Sequence, residues 1–426
     1  MENVRTLLVY RTSQNGERVL AGRLVQMKQG IFFEWDAGYR RSFPKGGLSP
    51  FRVLFAEGPQ LGPQRPNQGL HGFLADSLPD GWGLLLMDRA FQEHGLQPAR
   101  VGPLDRLAFI GERAIGALSY RPEHPAAGDQ ASSGSSDIFL LGEAAVRIFE
   151  DETDVVLPQL LESGSSGGSR PKATLWFSDD FSEASTTEKQ GWAPWLVKFT
   201  SRVLPLGHEE GIWEAAALES AKAAGIQTVD WRLFDGPRRG ARTRMHWLGV
   251  GRFDRTPSGR THFASAAGLL DVDFRMPSLD YEDLMRVTAA LTQSRSDVLE
   301  LLRRAVFNFM IGNADDHAKN FSFLLSDDGV WRLSPAFDIT FSPGQYGEHA
   351  TSFCGSGRTI TRRAAKRMAA AASLTAREMR AIAESGAAAV EGFAQRAAEL
   401  GASKANVREI DKAVKELVKA NLQAFC

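Results

Sequence analysis

The stretch that most constrains this chain is Gly312-Asn313-Ala314-Asp315-Asp316-His317-Ala318-Lys319-Asn320. It lies between a long run with apolar residues at helical spacing and the strand-like Phe321-Ser322-Phe323-Leu324-Leu325. Gly312 reads as the stop of that helix, so the polar residues after it sit on a loop held between two regular elements. Asp315 and Asn320 are five residues apart, and Asp338 follows eighteen residues later in Ser334-Pro335-Ala336-Phe337-Asp338-Ile339-Thr340. Two carboxylates and a side-chain amide are hard oxygen ligands for a magnesium ion, and a carboxylate can accept a proton from an alcohol. Phosphoryl transfer needs both kinds of group. Taken alone the same residues also suit a solvated loop, so the rest of the chain must decide.

Composition sets limits. A chain of 426 residues has room for two or three domains. Its 43% apolar and 24% charged content is ordinary for a globular protein. A net charge of -1 means that any nucleic-acid contact must come from a local patch. Cys354 and Cys426 form neither a metal-ligand spacing nor a disulfide framework. No signal-peptide pattern opens the chain, and no apolar run approaches the length of a membrane span. These features imply a cytoplasmic protein with no membrane partner.

Along the chain, residues 4–55 alternate between apolar and polar, and Asn15-Gly16 between two such runs predicts a hairpin in a small antiparallel sheet. Leu78-Pro79-Asp80-Gly81 breaks the chain before a helix-like run and reads as structural. Residues 121–137, rich in Pro, Gly and Ser, suggest a linker and a domain boundary. Ser163-Gly164-Ser165-Ser166-Gly167-Gly168-Ser169-Arg170-Pro171-Lys172 can wrap phosphate oxygens, because small residues let successive N–H groups converge. It lacks the Gly-Lys-Ser/Thr ending of a Walker A loop, and a surface linker is the competing reading. Lys198 lies in the apolar strand Trp195–Phe199 and needs a partner or a ligand there. A helix follows over 209–225, in which Glu214 is the first candidate to pair with Lys198 and Glu210 the second. Two more strands end near Gly251 and Phe253, where a hinge backbone could read an adenine edge. From Tyr281 onward the pattern is mostly helical, with Ser296 as N-cap of the helix that leads to Gly312. Arg358, Arg362, Arg363, Lys366 and Arg367 cluster as a solvated helix face, with a surface for a phosphate-bearing partner as the sharper reading.

A glycine-rich loop, a strand lysine, a helix with glutamate, a hinge strand, a helix, Asp-x4-Asn and a second Asp follow the order of the protein kinases. The expected fold is α+β and bilobal. It has an N-terminal β-rich subdomain (1–125), a mixed small lobe (138–255) and an all-helical large lobe (256–426). Lys319 is close enough in sequence to neutralise charge on a transferred phosphoryl group. His317 reads as packing beneath the loop. Asp316, a like charge beside Asp315, is expected to face solvent.

Four segments also resemble the HipA toxin kinases of bacterial type II toxin–antitoxin modules. They are Ile311–Ser322, Leu333–Asp338, Arg252-Phe253-Asp254-Arg255 and Ser169-Arg170-Pro171-Lys172-Ala173. The resemblance spans nearly the whole chain and implies a HipA-like serine/threonine protein kinase that uses ATP and Mg2+. It implies Asp315 as catalytic base with Lys319 beside it, and Asn320 and Asp338 as metal ligands. Lys198, Gly167, Gly168, Ser169, Gly251, Phe253 and His317 are implied around the nucleotide. Such kinases phosphorylate an aminoacyl-tRNA synthetase, are held by a HipB-like helix-turn-helix antitoxin, and meet DNA only through it. They autophosphorylate on a loop serine, for which Ser165 is the best match and Ser163 and Ser166 are rivals. Two other classes remain open from the residues: a small-molecule phosphotransferase of aminoglycoside type, and a nucleotide-binding corepressor without kinase activity.

Overall fold

The computed structural model describes residues 4–123, 137–164, 167–236, 245–344 and 347–426. The chain divides into two compact units: residues 1–203, 234–272 and 324–330 form the first, and 204–233, 273–323 and 331–426 the second.

The first unit holds two sheets. One has the order β4-β3-β2-β1-β5, built from β1 (Thr6–Thr12), β2 (Arg18–Met27), β3 (Gly30–Trp35), β4 (Gln60–Leu61) and β5 (Leu118–Pro122). The expected alternation turns Leu7, Val9, Leu24, Ile31, Phe33 and Trp35 inward. Gly16 takes φ +88° at the hairpin turn, a conformation open to glycine. Around this sheet lie α1 (Ala37–Ser42), α2 (Gly72–Ala75), α3 (Gly81–Glu93) and α4 (Pro103–Ile110). The second sheet has the order β7-β6-β8-β10-β9, with β6 (Lys172–Phe177), β7 (Ala184–Ser185), β8 (Ala193–Lys198), β9 (Trp231–Asp235) and β10 (His246–Gly251). It packs with α5 (Ile138–Phe149) and α6 (Pro158–Glu162), and β11 (His262–Ser265) and α8 (Ala266–Leu270) complete the unit.

One hydrophobic core takes in α3, from the span 1–125, together with residues of the span 138–255. Trp82 and Leu86 of α3 are buried together with Leu141, Ala145, Leu175, Val197, Phe199 and Trp247. Farther along α3, Phe91 packs on Phe109 of α4 with ring centroids 5.0 Å apart. A second tie is ionic. The Asp254 carboxylate, 2% exposed, accepts from Arg252 and Arg255 and from the Gly116 N–H at 2.6 Å. Burial alone pushes that carboxyl up, but the two guanidinium groups outweigh burial and hold it well below the usual carboxylate range.

The second unit is built from α7 (Glu210–Ala223), α9 (Tyr281–Thr292), α10 (Arg295–Ile311), α11 (Arg362–Ala371), α12 (Ala376–Glu391), α13 (Phe393–Glu399) and α14 (Lys404–Leu422). Although α7 lies inside the span expected as the small lobe, it belongs here. Ala215, Ala216 and Ala217 are fully buried on it, and Trp213 meets Phe393 at 5.3 Å. The part expected to be all helical also carries short strands: β12 (Leu279–Asp280), β13 (Ser322–Leu325), β14 (Trp331–Leu333) and β15 (Thr351–Ser352). The parallel pair β12–β15 is fastened by Asp280, which accepts from Ser352 Oγ at 2.6 Å and Gly355 N–H at 2.7 Å. The N-cap of α10 is Ser294, whose hydroxyl accepts from Asp297 N–H, and not Ser296 as expected, whose own hydroxyl bonds Ser294 at 2.8 Å. On α11, Ala364, Ala365 and Met368 are buried while Arg362, Arg363 and Lys366 are exposed, a solvated face as expected.

Candidate active site

The loop after α10 is set by its stop. Gly312 has φ +77°, and the N–H groups of Gly312 and Asn313 return to the Asn308 carbonyl at 3.0 and 2.9 Å. A Cβ at Gly312 would lie 2.7 Å from Leu417 Cδ1, so packing also demands glycine. Beyond it, Ala314 is held on both sides. Its N–H donates to Ser342 O and its carbonyl accepts from Ala350 N–H, each at 3.0 Å. Asp315 is exposed between buried Ala314 and buried Asp316, which suits a group that must meet an incoming substrate. The Asn320 amide donates to the Asp315 carbonyl at 2.8 Å, closing the loop and leaving the Asn320 side-chain oxygen to serve as a ligand.

Asp338 adopts φ +56°, the left-handed region that an aspartate enters at a cost and keeps only where its surroundings dictate it. Those surroundings are explicit. Arg304 of α10 donates to the Ser334 carbonyl at 2.7 Å, and Ser334 N–H donates to Ser322 O at 2.9 Å. Ala336 N–H donates to Gln227 O at 2.7 Å, and its carbonyl accepts from Val229 N–H at 3.0 Å. Asn320 and Asp338 line one small cavity of about 10 Å³ together with Arg304, Asn308, Asn313 and Asp316. Asp315 is tied to that group through Asn320. The oxygen atoms of Asn320 and Asp338 are of the chemistry that suits a magnesium ion.

Asp316 does not face solvent, as its place beside Asp315 led us to expect. It is fully buried and accepts from Tyr281 Oη at 2.6 Å and Thr351 N–H at 3.1 Å, with His349 Nδ1 at 2.9 Å. These donors replace the water that an inward carboxylate loses. Alternation of direction along an extended loop separates the neighbours: one carboxylate points out, the other in. Lys319 places its ammonium 4.3 Å from the Phe274 ring centroid, and the His317 ring lies 5.4 Å from the same ring. His317 is thus packed against an aromatic side chain, in line with its expected packing role.

In the first unit, Lys198 ends β8, is 8% exposed, and stands directly across the ladder from Lys172 of β6. Lys172 donates to the Gly167 carbonyl at 2.6 Å. Gly168 has φ +94°, donates its N–H to the Asp80 carboxylate and accepts from Trp82 N–H at 3.1 Å. The Leu78–Gly81 segment is therefore structural and also holds the glycine-rich loop. Ser169 is exposed. Ser163 is buried and donates its hydroxyl to the Leu160 carbonyl at 2.8 Å, closing α6. Ser165 and Ser166 lie outside the described residues. Gly251 ends β10 opposite Trp195, and the Phe253 ring lies 6.3 Å from Phe263. Glu210 and Glu214 are both buried on α7, in the second unit.

Five residues of the site were not foreseen: Tyr281, Arg304, Asn308, His349 and Thr351. A signal existed for two of them. Arg304 and Asn308 interrupt the apolar periodicity of α10, and a polar side chain on an inward helix face calls for a partner. Tyr281, His349 and Thr351 carry no local mark.

Residues 164–395 match the HipA-like C-terminal domain and residues 15–121 the HipA N-terminal domain. The putative kinase Y4dM of Sinorhizobium fredii (strain NBRC 101917 / NGR234) is 31% identical over 280 residues, 63% of this chain and 61% of that protein. The putative kinase Y4mE of the same strain is 46% identical over 59 residues, 14% of this chain and 13% of that protein. Among solved structures, a chain of the Shewanella oneidensis MR-1 complex of the toxin–antitoxin system HipA, HipB and its operator DNA is similar, with a TM-score of 0.67 at 18% identity. The likeness covers 98% of this chain and 96% of that one, and it carries the fold. The expected α+β, HipA-like kinase fold is borne out.

Proposed function

This chain belongs to the HipA family, and from that premise we propose that it is an ATP- and Mg2+-dependent serine/threonine protein kinase, the toxin of a HipBA-type module. The observation that carries the reading is the convergence of Asn320 and Asp338 on one cavity beside the loop that presents Asp315. Asp315 accepts the proton of the substrate hydroxyl as its oxygen bonds to the γ-phosphorus. The bond between that phosphorus and the β–γ bridging oxygen breaks, and ADP leaves. Asn320 and Asp338 hold magnesium, which when bound neutralises phosphate charge. We assign Lys198 and the backbone of Gly167, Gly168 and Ser169 to phosphate oxygens, and the backbone around Gly251 and Phe253 to adenine. Lys319 adds positive charge near Asp315, and His317 supports the loop at the nucleotide.

The Shewanella complex, which contains HipA, HipB and operator DNA, supports a HipB-like antitoxin as partner, with DNA reached through it. The proposed substrate is a translation protein such as an aminoacyl-tRNA synthetase. Self-modification falls on the glycine-rich loop, first at Ser165, with Ser163, which is buried, and Ser166 as rivals. The proposed compartment is the cytoplasm, and no helix among the described residues is long and apolar enough to cross a membrane.

The test is transfer from γ-labelled ATP by the purified chain in a cytosolic extract, with labelled products identified by mass spectrometry. Label should appear on a protein and on the chain's own loop. Asp315→Asn should bind ATP and transfer nothing. Label on a metabolite alone would make this a small-molecule phosphotransferase, and ATP binding without any label would make it a nucleotide-binding scaffold.

A further inference from the structure

Behind the exposed Asp315 runs a buried chain of hydrogen bonds with a fixed direction. The Asn313 amide donates to Asn308 Oδ1 at 3.1 Å, the Asn308 amide donates to Tyr281 Oη at 2.8 Å, and Tyr281 O–H donates to Asp316 Oδ2 at 2.6 Å. A carboxylate only accepts, so the Tyr281 hydroxyl must give its hydrogen to Asp316 and can receive from Asn308 alone. Each amide in turn is locked in one orientation. Burial, and then the nearby Asp316 charge, keep the Tyr281 hydroxyl protonated well above its ordinary range.

The opposite side of Asp316 belongs to a different segment. Thr351 donates its N–H to Asp316 Oδ1 at 3.1 Å and its hydroxyl to the Asp316 carbonyl. His349 Nδ1 lies 2.9 Å from Asp316 Oδ2, and its ring stacks on Phe309 of α10 with centroids 3.7 Å apart and planes 3° from parallel. Ala350 N–H, between them, donates to Ala314 O at 3.0 Å. Residues 349–351 therefore grip the chain on both sides of Asp315, through Ala314 and Asp316.

We propose that Asp316 is a positioning residue for phosphoryl transfer: it clamps residues 349–351 to the loop and so fixes the direction in which Asp315 presents its carboxylate. The inference rests on the kinase reading above. Proton acceptance depends on geometry, and a displacement of about 1 Å at a reacting group can lower a rate by roughly a hundredfold. Asp316→Asn keeps the shape but places an amide N–H against donors already aimed at that position. Thr351→Val keeps the backbone bond and removes only the hydroxyl bond to the Asp316 carbonyl.

The experiment measures kcat and the KM for ATP of the full chain and both variants on the same protein substrate, with thermal melting and ATP binding in parallel. For Asp316→Asn, kcat should fall by about 10- to 100-fold while the KM for ATP stays within about twofold. Thr351→Val should show the same split at smaller size. Folded variants with wild-type kcat would overturn the inference and leave the kinase reading intact. So would a loss confined to melting temperature, which a purely structural role predicts. If Asp316→Asn does not fold, Thr351→Val and Tyr281→Phe decide the matter by the same split. A wild-type chain that transfers no phosphate would sink both readings.

Discussion

Asp254→Asn tests the ionic tie of the first unit. In the folded chain Asp254 faces Arg252 and Arg255, whose side chains are 10% and 7% exposed. Arg252 Nε donates to Asp254 Oδ1 at 2.8 Å, and Arg255 also reaches the Gly116 carbonyl at 2.9 Å. Burial, followed by the charge of Arg252, already pulls the Arg255 guanidinium down to about 9. Asparagine removes the negative charge that both cations face and turns one acceptor into a donor. Breaking a buried ion pair from one side costs about 3–5 kcal/mol. At about 2–4 °C per kcal/mol for a unit of this size, melting should fall by roughly 6–20 °C. Thermal melts followed by circular dichroism measure it. A fall below about 2 °C would show that the guanidinium groups find other partners and that the tie has been overrated. The acid limb gives a second check. The folded carboxyl sits below its unfolded value of about 3.9, so its stabilisation is complete above that pH and is lost as pH falls through the folded value. Asp254→Asn should lose that part of the acid sensitivity.

Three further outcomes follow from single contacts. A Cβ at Gly142 would lie 2.2 Å from the Trp247 ring, so Gly142→Ala should destabilise the first unit by about 1–3 kcal/mol in urea unfolding. Burial, and then the charge of Arg11, pull the His262 imidazole down to about 3, so stability should decline as pH falls from about 6.5 toward 3. By pH 5 the loss should reach about 2 kcal/mol, and His262→Gln should flatten it. Gly312→Ala combines strain at φ +77° with a 2.7 Å approach to Leu417, and in a phosphate-transfer assay it should lose more activity than stability, because the stop of α10 aims the loop that presents Asp315.

Much of this was legible in the sequence because the signals are local. Hairpin chemistry at Asn15-Gly16, strand alternation, the apolar period of α10 and its glycine stop each act within a few residues. Asp315, Asn320 and Asp338 stood out because their type and spacing match what phosphoryl transfer would need. What escaped depends on distant partners. The inward turn of Asp316 needs Tyr281, His349 and Thr351, 35, 33 and 35 residues away. The first unit joins the two expected domains because Trp82 and Leu86 enter a core whose other walls come from residues 141–247. No window of sequence carries either fact. The position of α7 escaped for a related reason: an alanine-rich helix can be buried on any side, so its pattern does not say against what.

The central claim is that Asn320 and Asp338 together hold the metal that accompanies a bound triphosphate. Calorimetric titration with a non-hydrolysable ATP analogue, with and without Mg2+, tests it most directly. Wild-type affinity should rise at least about tenfold with magnesium, and Asn320→Ala and Asp338→Asn should each keep the metal-free affinity and lose that gain. Full retention of the magnesium effect in both folded variants would contradict the claim.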